Sequence, residues 1–179
     1  MTVRGAQAAS PMTDDGLDAL GPLAAIPPPR WGRMDRISRV AVVAVARLLL
    51  ERRVITADRG KVPDGSTIGL IAGSHYGSLA TDLAYCAPLP HSPALVSPTL
   101  FSYTLANIAL AEAASYLALR GPVYSLYCPS DPLRSAVEEA ERWLTYSPGI
   151  DAIVAGELDF EPGGAPIAEF QLVSRPCPT

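Results

Sequence analysis

Histidine is scarce in this sequence of 179 residues, which contains only His75 and His91. Two histidines provide few groups that could act as a general acid or base or as the ligands of a histidine-based metal site. The three cysteines, Cys86, Cys128 and Cys177, are far apart and form no CxxC pair. This spacing argues against a disulfide framework and a cysteine-based zinc site, and it indicates a reducing compartment. We therefore expect no metal ion and no cofactor.

Charge is also sparse. Charged residues make up 18% of the chain, the formal net charge is −4, and no basic stripe is present. This pattern argues against a nucleic-acid partner. The longest apolar run, from Val40 to Leu50, is interrupted by Arg47 and is too short to span a bilayer. Residues 1–30 lack the compact apolar segment of a signal peptide. We expect a cytoplasmic protein that neither enters nor binds a membrane.

The composition favours one folded domain with a covered surface. Apolar residues make up 49% of the chain, too many for a disordered protein. The length is that of a single domain with one hydrophobic core. An apolar chain with so few charges is typical of a protein whose surface is partly covered by a partner. Residues 1–30, rich in Ala and Pro, are predicted to be a flexible arm, and residues 31–179 the domain.

Helical and strand patterns alternate along the domain. The predicted helices cover residues 35–53, 78–86, 103–119 and 133–146, and the predicted strands cover residues 67–72, 123–127, 150–157 and 166–173. The strands are short and apolar, as strands buried on both faces are. Such an order predicts a layered α/β sheet.

Five short motifs follow one another within the domain. They lie at residues 33–39 (RMDRISR), 68–77 (IGLIAGSHYG), 96–101 (VSPTLF), 119–122 (LRGP) and 150–159 (IDAIVAGELD), with Asn107 after the third motif. In this order they resemble the motifs of the β-ketoacyl synthase family in the thiolase-like superfamily. The resemblance implies an α/β fold of the thiolase-like type, of which this chain would form the N-terminal half.

The resemblance also draws attention to the turn after the third predicted helix and second strand. In the family a nucleophilic cysteine follows the G-P step, and the same count from Gly121 arrives at Ser130. Cys128 lies two positions earlier, and Pro129 and Pro132 alter the turn. Because proline has no N–H to donate, this turn offers fewer donors to lower the pKa of a thiol.

The family's two catalytic histidines come from its C-terminal half, and neither His75 nor His91 lies in a matching motif. The resemblance thus implies a chain that does not catalyse the reaction alone, with Cys128 and Ser130 as the catalytic candidates. Ser130 has no adjacent base or G-x-S-x-G elbow, so a turn or helix-cap role explains it better than a nucleophile does. Cys128 could be reactive, but free cysteines are more often small buried apolar side chains.

Other polar positions have simpler interpretations than catalysis. Asp131 and Asp159 could form an acid–base pair, or complete a helix cap and a strand-end turn. The turn between Gly73 and Gly77 lacks a phosphate-binding lysine, so we expect a close approach of strand and helix. His75 in that turn is expected to be a hydrogen-bonded structural residue.

Phe101, Tyr103 and Leu105 form the candidate interface. The resemblance implies that this segment lies near a subunit interface and lines the acyl tunnel, whereas ordinary core packing would also explain each residue.

Three functions remain open. The chain could be a non-catalytic subunit, like a chain length factor, that pairs with a full-length ketosynthase in a polyketide or fatty acid system. It could be an acyltransferase or thioesterase acting on acyl carrier protein thioesters. It could be a degenerate module that binds the carrier protein.

Overall fold

A computed structural model describes residues 12–175, so Cys177 and the first eleven residues of the predicted arm lie outside the description. The described chain forms one four-stranded sheet with helices on both faces. The strands are β1 (Ile68–Ser74), β2 (Val123–Tyr127), β3 (Ala152–Asp159) and β4 (Ile167–Ser174). Their order in the sheet is β2-β1-β3-β4. This arrangement matches the layered α/β sheet predicted from the sequence.

The strand directions bring distant residues together. β1 runs parallel to both β2 and β3, whereas β4 pairs with β3 in the antiparallel direction. The carboxyl ends of the three parallel strands therefore lie at the same edge of the sheet. Ser74, Cys128 and Asp159 lie at or just beyond these ends.

The described residues form five α-helices: α1 (Arg36–Glu51), α2 (Leu79–Cys86), α3 (Pro98–Phe101), α4 (Ile108–Leu117) and α5 (Pro132–Tyr146). α1 and α4 pack together on one face, and α5 packs on the other. α1 is apolar on almost every side because it is enclosed by the sheet, α4 and the N-terminal segment. Asp35 caps α1 by accepting a hydrogen bond from the backbone N–H of Ser38 at 3.0 Å, as the sequence predicts.

The hydrophobic core lies in two parts, one on each face of the sheet. The larger part joins α1 and α4 to the sheet, with Val40, Leu70 and Phe170 among its members. The smaller part joins Ile71 and Ile153 of the sheet to the alanine-rich face of α5. No helix within residues 12–175 combines the length and the apolar character needed to cross a membrane.

Part of the predicted arm, between residues 12 and 30, packs against the rest of the fold in the structure. Leu20 and Leu23 lie in a 3-10 helix (Leu17–Ala25) and are fully buried in the core beside α1. Met12 forms a backbone bridge with Ala168 in β4. These residues are held in place because α1 and β4 leave apolar surface that the segment covers.

The predicted helix over residues 103–119 is wrong in its first part. The chain forms the short helix α3, then a turn, and α4 begins only at Ile108. Ser97 starts α3 by accepting a hydrogen bond from the N–H of Leu100 at 3.1 Å. The side chain of Thr104 then bonds to the carbonyl of Phe101 at 2.8 Å, which holds the chain in a turn.

Candidate functional site

The turn between β2 and α5 holds both catalytic candidates. Cys128 is buried at the end of β2, and its N–H donates to the carbonyl of Ser74 at 2.9 Å. Ser130 is exposed in the turn. Asp131 is the residue that caps α5, since its carboxylate accepts from the N–H of Arg134 at 3.1 Å. Its backbone is left-handed (φ 48°), and Pro132 follows as the first helical residue.

No hydrogen bond joins either candidate to a base within residues 12–175. Among residues 12–175, the one hydrogen-bond partner of the Cys128 sulfur is the carbonyl oxygen of Leu126, at 3.7 Å. The hydroxyl of Ser130 makes no hydrogen bond in the described part of the chain. The structure therefore brings Cys128 and Ser130 to the expected turn, but it does not assemble a nucleophile with its base.

The start of α5 lies directly against β1. A Cβ atom placed on Gly73 would lie 2.2 Å from the backbone oxygen of Pro132, far inside contact distance. Only glycine allows this approach, which is the close strand–helix contact predicted for the turn. Gly73 thus fixes the position of the α5 N-terminus, and with it the position of Ser130, relative to the sheet.

Asp159 holds the turn after β1. One carboxylate oxygen accepts from the Ser74 hydroxyl at 2.8 Å, the Tyr76 N–H at 3.0 Å and the Phe160 N–H at 3.1 Å. The other accepts from the His75 N–H at 2.9 Å and contacts His75 Nδ1 at 3.0 Å. Asp159 is therefore a buried anchor for the turn that contains His75. It does not pair with Asp131, which caps α5.

The pKa of Asp159 reflects this environment. Burial by itself raises the pKa of the carboxyl group, because it disfavours the charged form. The hydrogen bonds from the backbone of His75, the hydroxyl of Ser74 and the backbone of Tyr76 outweigh burial and leave the pKa lowered. The carboxylate is consequently charged and fully engaged at neutral pH.

Glu157 is a neighbour that sequence reasoning missed. One ligand atom from each of His75, Glu157 and Asp159 lies within 4.8 Å of the others. Burial raises the pKa of Glu157, and the charges of Asp159 and Glu169 raise it further, while His75 opposes the shift. The sequence could have indicated this neighbour, because alternate residues of a strand face the same side of the sheet and Glu157 lies two positions before Asp159 in β3.

The three interface candidates separate in the structure. Phe101 and Leu105 are exposed, with 60% and 65% of their surface accessible. Tyr103 is buried, and its hydroxyl donates to Glu112 at 3.1 Å. Burial, together with the charge of Glu112, raises the pKa of Tyr103 to about 12. Glu112 also forms a salt bridge with Arg30 at 3.1 Å.

The segment after Phe101 lies between α2 and β2. The hydroxyl of Ser78 donates to the carbonyl of Thr104 at 3.1 Å. On the other side, Asn107 accepts from the backbone N–H of Ser125 in β2 at 2.8 Å. A shallow cleft of about 350 Å³ opens between these elements. Its lining includes His75, Tyr76, Ser78, Asp82, Ser125 and Tyr127.

β2 is an edge strand, because among residues 12–175 it pairs only with β1. The carbonyl of Pro122 and the N–H of Cys128 both bond to β1. Backbone N–H and C=O groups of successive residues point to opposite sides of a strand. The groups that point away from β1, to the open side of β2, therefore belong to Val123, Ser125 and Tyr127. Asn107 covers only the N–H of Ser125.

Solved structures identify the fold. No protein-family model and no curated protein matches the sequence. The structure is similar to the ishigamide ketosynthase/chain length factor (TM-score 0.66, 18% identity), over 90% of this chain and 53% of that chain. It is also similar to the ketosynthase ApeO in complex with its chain length factor ApeC from Xenorhabdus doucetiae (TM-score 0.63, 16% identity), over 98% and 80%. The chain has a ketosynthase-like fold.

A third structure agrees with this assignment. It is a β-ketoacyl synthase from Burkholderia phymatum STM815, with a TM-score of 0.59 and 15% identity over 83% of this chain and 44% of that one. The ketosynthase-like chain thus spans about half the length of the first and third structures and most of the second. The thiolase-like fold predicted from five short motifs is confirmed.

Proposed function

We propose that this chain is a non-catalytic subunit, like a chain length factor, that pairs with a full-length ketosynthase and shapes the acyl tunnel. Two of the similar structures contain a ketosynthase together with a chain length factor. The partner in a polyketide or fatty acid system would supply the catalytic residues, and an acyl carrier protein would deliver the substrate.

The observation that carries this proposal is an apolar patch beside the open edge of β2. Its exposed side chains include three that line the cleft described above and three from α2, α3 and the turn after α3: Tyr76, Leu79 and Tyr127, and Leu83, Phe101 and Leu105. α2 and α3 are in contact, and the rings of Tyr85 and Phe101 lie 5.5 Å apart, so the patch continues across the two helices. Neighbouring apolar side chains of this size on a protein surface mark an interaction site.

The edge of β2 adds backbone groups to the same surface. Tyr127, whose surface is 80% accessible, lies at the end of the strand. An unpaired edge next to an apolar patch is a template for a strand from another chain. A partner that covered both would remove apolar surface from water and pair with the outward-facing backbone groups of Val123 and Tyr127, which have no strand beside them among residues 12–175.

The catalytic candidates support a role without catalysis. Cys128 is buried with its sulfur against a backbone carbonyl, and Ser130 has no hydrogen-bonded base among the described residues. Phe101 and Leu105 are exposed and can contact a partner or its tunnel, whereas Tyr103 supports the segment from inside.

Co-expression with a full-length ketosynthase from the same organism tests the proposal. Light scattering of the purified material should give a complex of defined mixed stoichiometry. Leu105→Asp places a charge in the apolar patch and should weaken the complex at least tenfold. Tyr146→Asp is the matched control, because Tyr146 is 81% exposed at the end of α5, outside the patch. A chain that stays monomeric beside the ketosynthase, or equal binding by both variants, would contradict the proposal.

The role in the tunnel has a separate test. In the reconstituted system, Phe101→Ala should change the length of the acyl product if the side chain limits the tunnel. An unchanged product length in a stable complex would favour a module that only binds the carrier protein. Hydrolysis or transfer of acyl thioesters by the isolated chain, lost in Cys128→Ala or Ser130→Ala, would instead identify an enzyme.

A further inference from the structure

A cluster of potential metal ligands lies at the carboxyl ends of β1 and β3. His75 follows β1, and Glu157 and Asp159 belong to β3, where Glu157 is level with Gly73 of β1. One ligand atom from each of the three side chains lies within 4.8 Å of the others. None of the three side chains belongs to the apolar patch as defined above, although His75 directly precedes Tyr76 of that patch.

The atoms of this cluster suit a divalent transition metal ion. Imidazole nitrogen and carboxylate oxygen are both ligands of Zn²⁺, with bonds of about 2.0–2.2 Å. At that bond length, neighbouring ligand atoms of a tetrahedral site are roughly 3.3 Å apart. His75 Nδ1 and the nearer oxygen of Asp159 are 3.0 Å apart. An ion could therefore replace the shared proton between them with a small adjustment, and a rotation of Glu157 would supply the third ligand.

Hydrogen bonds hold the carboxylate of Asp159 in one orientation, as they do for carboxylates that bind metal ions. Three donors hold the oxygen that faces away from the imidazole ring, from Ser74, Tyr76 and Phe160. The other oxygen has two hydrogen-bond partners among the described residues, the backbone N–H and the ring Nδ1 of His75. Hydrogen bonds that orient a ligating carboxylate in this way raise the affinity of metal sites.

The charge around the cluster also favours a cation. Glu169 lies directly opposite Glu157 across the β3–β4 pair. Within residues 12–175 no arginine or lysine forms a salt bridge with Glu157, Asp159 or Glu169. In the described part of the chain, His75 is the one basic side chain paired with these three carboxylates, and a neutral imidazole leaves their negative charge for a bound cation to neutralise.

We propose that His75, Glu157 and Asp159 bind one Zn²⁺ ion, with water as the fourth ligand. The ion would link the turn after β1 to the end of β3. This site does not depend on the proposed pairing with a ketosynthase, since it is formed within a single chain.

The test uses the full chain without an affinity tag, freed of metal with a chelator and then dialysed. Titration with Zn²⁺ alone should give one ion bound per chain, and metal analysis after gel filtration should give the same ratio. His75→Ala and Glu157→Gln should each weaken binding at least tenfold. His91→Ala is the matched control, because His91 is an exposed histidine in a loop away from the cluster and should leave binding unchanged.

Two further measurements keep the proposal falsifiable. Co²⁺ in place of Zn²⁺ should give the absorption of a tetrahedral nitrogen and oxygen site, and this absorption should be absent in Glu157→Gln even if His75→Ala does not fold. Cys128→Ser should bind normally, because the cysteine is not a member of the cluster. Absence of binding in the native chain, unchanged binding in His75→Ala and Glu157→Gln, or loss of binding in His91→Ala or Cys128→Ser would each overturn the proposal.

Discussion

Replacement of Asp159 by asparagine tests the network that holds the turn after β1. Asparagine keeps the shape of the side chain but replaces one acceptor oxygen with an NH₂ donor. The remaining oxygen can still serve the donors from Ser74, Tyr76 and Phe160. The NH₂ group would then face the backbone N–H of His75, which lies 2.9 Å from the oxygen it replaces.

The cost follows from the bonds that cannot be remade. The His75 ring can change tautomer and accept from the new NH₂ group, so that contact survives. The bond from the His75 N–H is lost, and bonds to a charged acceptor contribute about 1.5–3 kcal/mol each. The other bonds to Asp159 become weaker because the acceptor is no longer charged. We expect Asp159→Asn to lower the free energy of unfolding by about 3 kcal/mol.

Urea unfolding with a chelator present measures this change without any contribution from bound metal. In a chain of this length, about 3 kcal/mol corresponds to a fall of roughly 6–12 °C in Tm. Asp151→Asn is the matched control, because Asp151 is exposed and its single bond to the Thr67 N–H can be kept by the amide oxygen. A loss below about 1 kcal/mol in Asp159→Asn would refute the reasoning, since it lies within the effect of a neutral hydrogen bond.

Two more changes test the fold around the site. Gly73→Ala should cost at least about 1–3 kcal/mol in urea unfolding, because its Cβ would lie 2.2 Å from the Pro132 oxygen, whereas Gly149→Ala has open space and should be nearly neutral. Tyr103→Phe should cost about 1–2 kcal/mol at neutral pH through loss of the bond to Glu112. Because burial and Glu112 raise the pKa of Tyr103 from 10.0 to about 12, its contribution is intact below pH 10 and is lost between pH 10 and 12. Between pH 10 and 12 the free energy of unfolding should therefore fall less in Tyr103→Phe than in the native chain. An equal fall in both proteins would contradict a hydrogen bond from the Tyr103 hydroxyl to Glu112.

The sheet could be predicted because its signal is local. Short runs of apolar residues, closed by glycine and proline, indicated all four strands, and each lies within about two residues of its predicted place. The start of α4 could not be predicted in this way. The many alanines between residues 103 and 119 favour a helix, but the contacts of Ser78 and Ser125 with Thr104 and Asn107 hold the first part as a turn. Such contacts depend on the tertiary fold and override local propensity.

The cluster around Asp159 was hidden for a related reason. Its partners in the turn after β1 lie 83 to 85 positions earlier in the chain. The motif match identified the two segments separately, and the parallel pairing of β1 with β3 brings their ends together. Because a single sequence gives no pairing register, Asp159 was interpreted as a strand-end turn or as a partner of Asp131, and Glu157 was not identified as its neighbour.

The turn anchored by Asp159 connects the proposed metal site to the apolar patch. Variants of the turn, of the metal site and of the patch should therefore give three different combinations of effects on Zn²⁺ binding and on the complex. His75 faces the cluster with Glu157, and the next residue, Tyr76, belongs to the apolar patch. Loosening the turn by Asp159→Asn should therefore weaken both Zn²⁺ binding and the complex with the ketosynthase. Glu157→Gln should weaken only the first, and Leu105→Asp only the second. If Glu157→Gln also disrupted the complex in the presence of a chelator, Glu157 would be acting on the partner surface without the ion, and the independence of the two sites would be wrong.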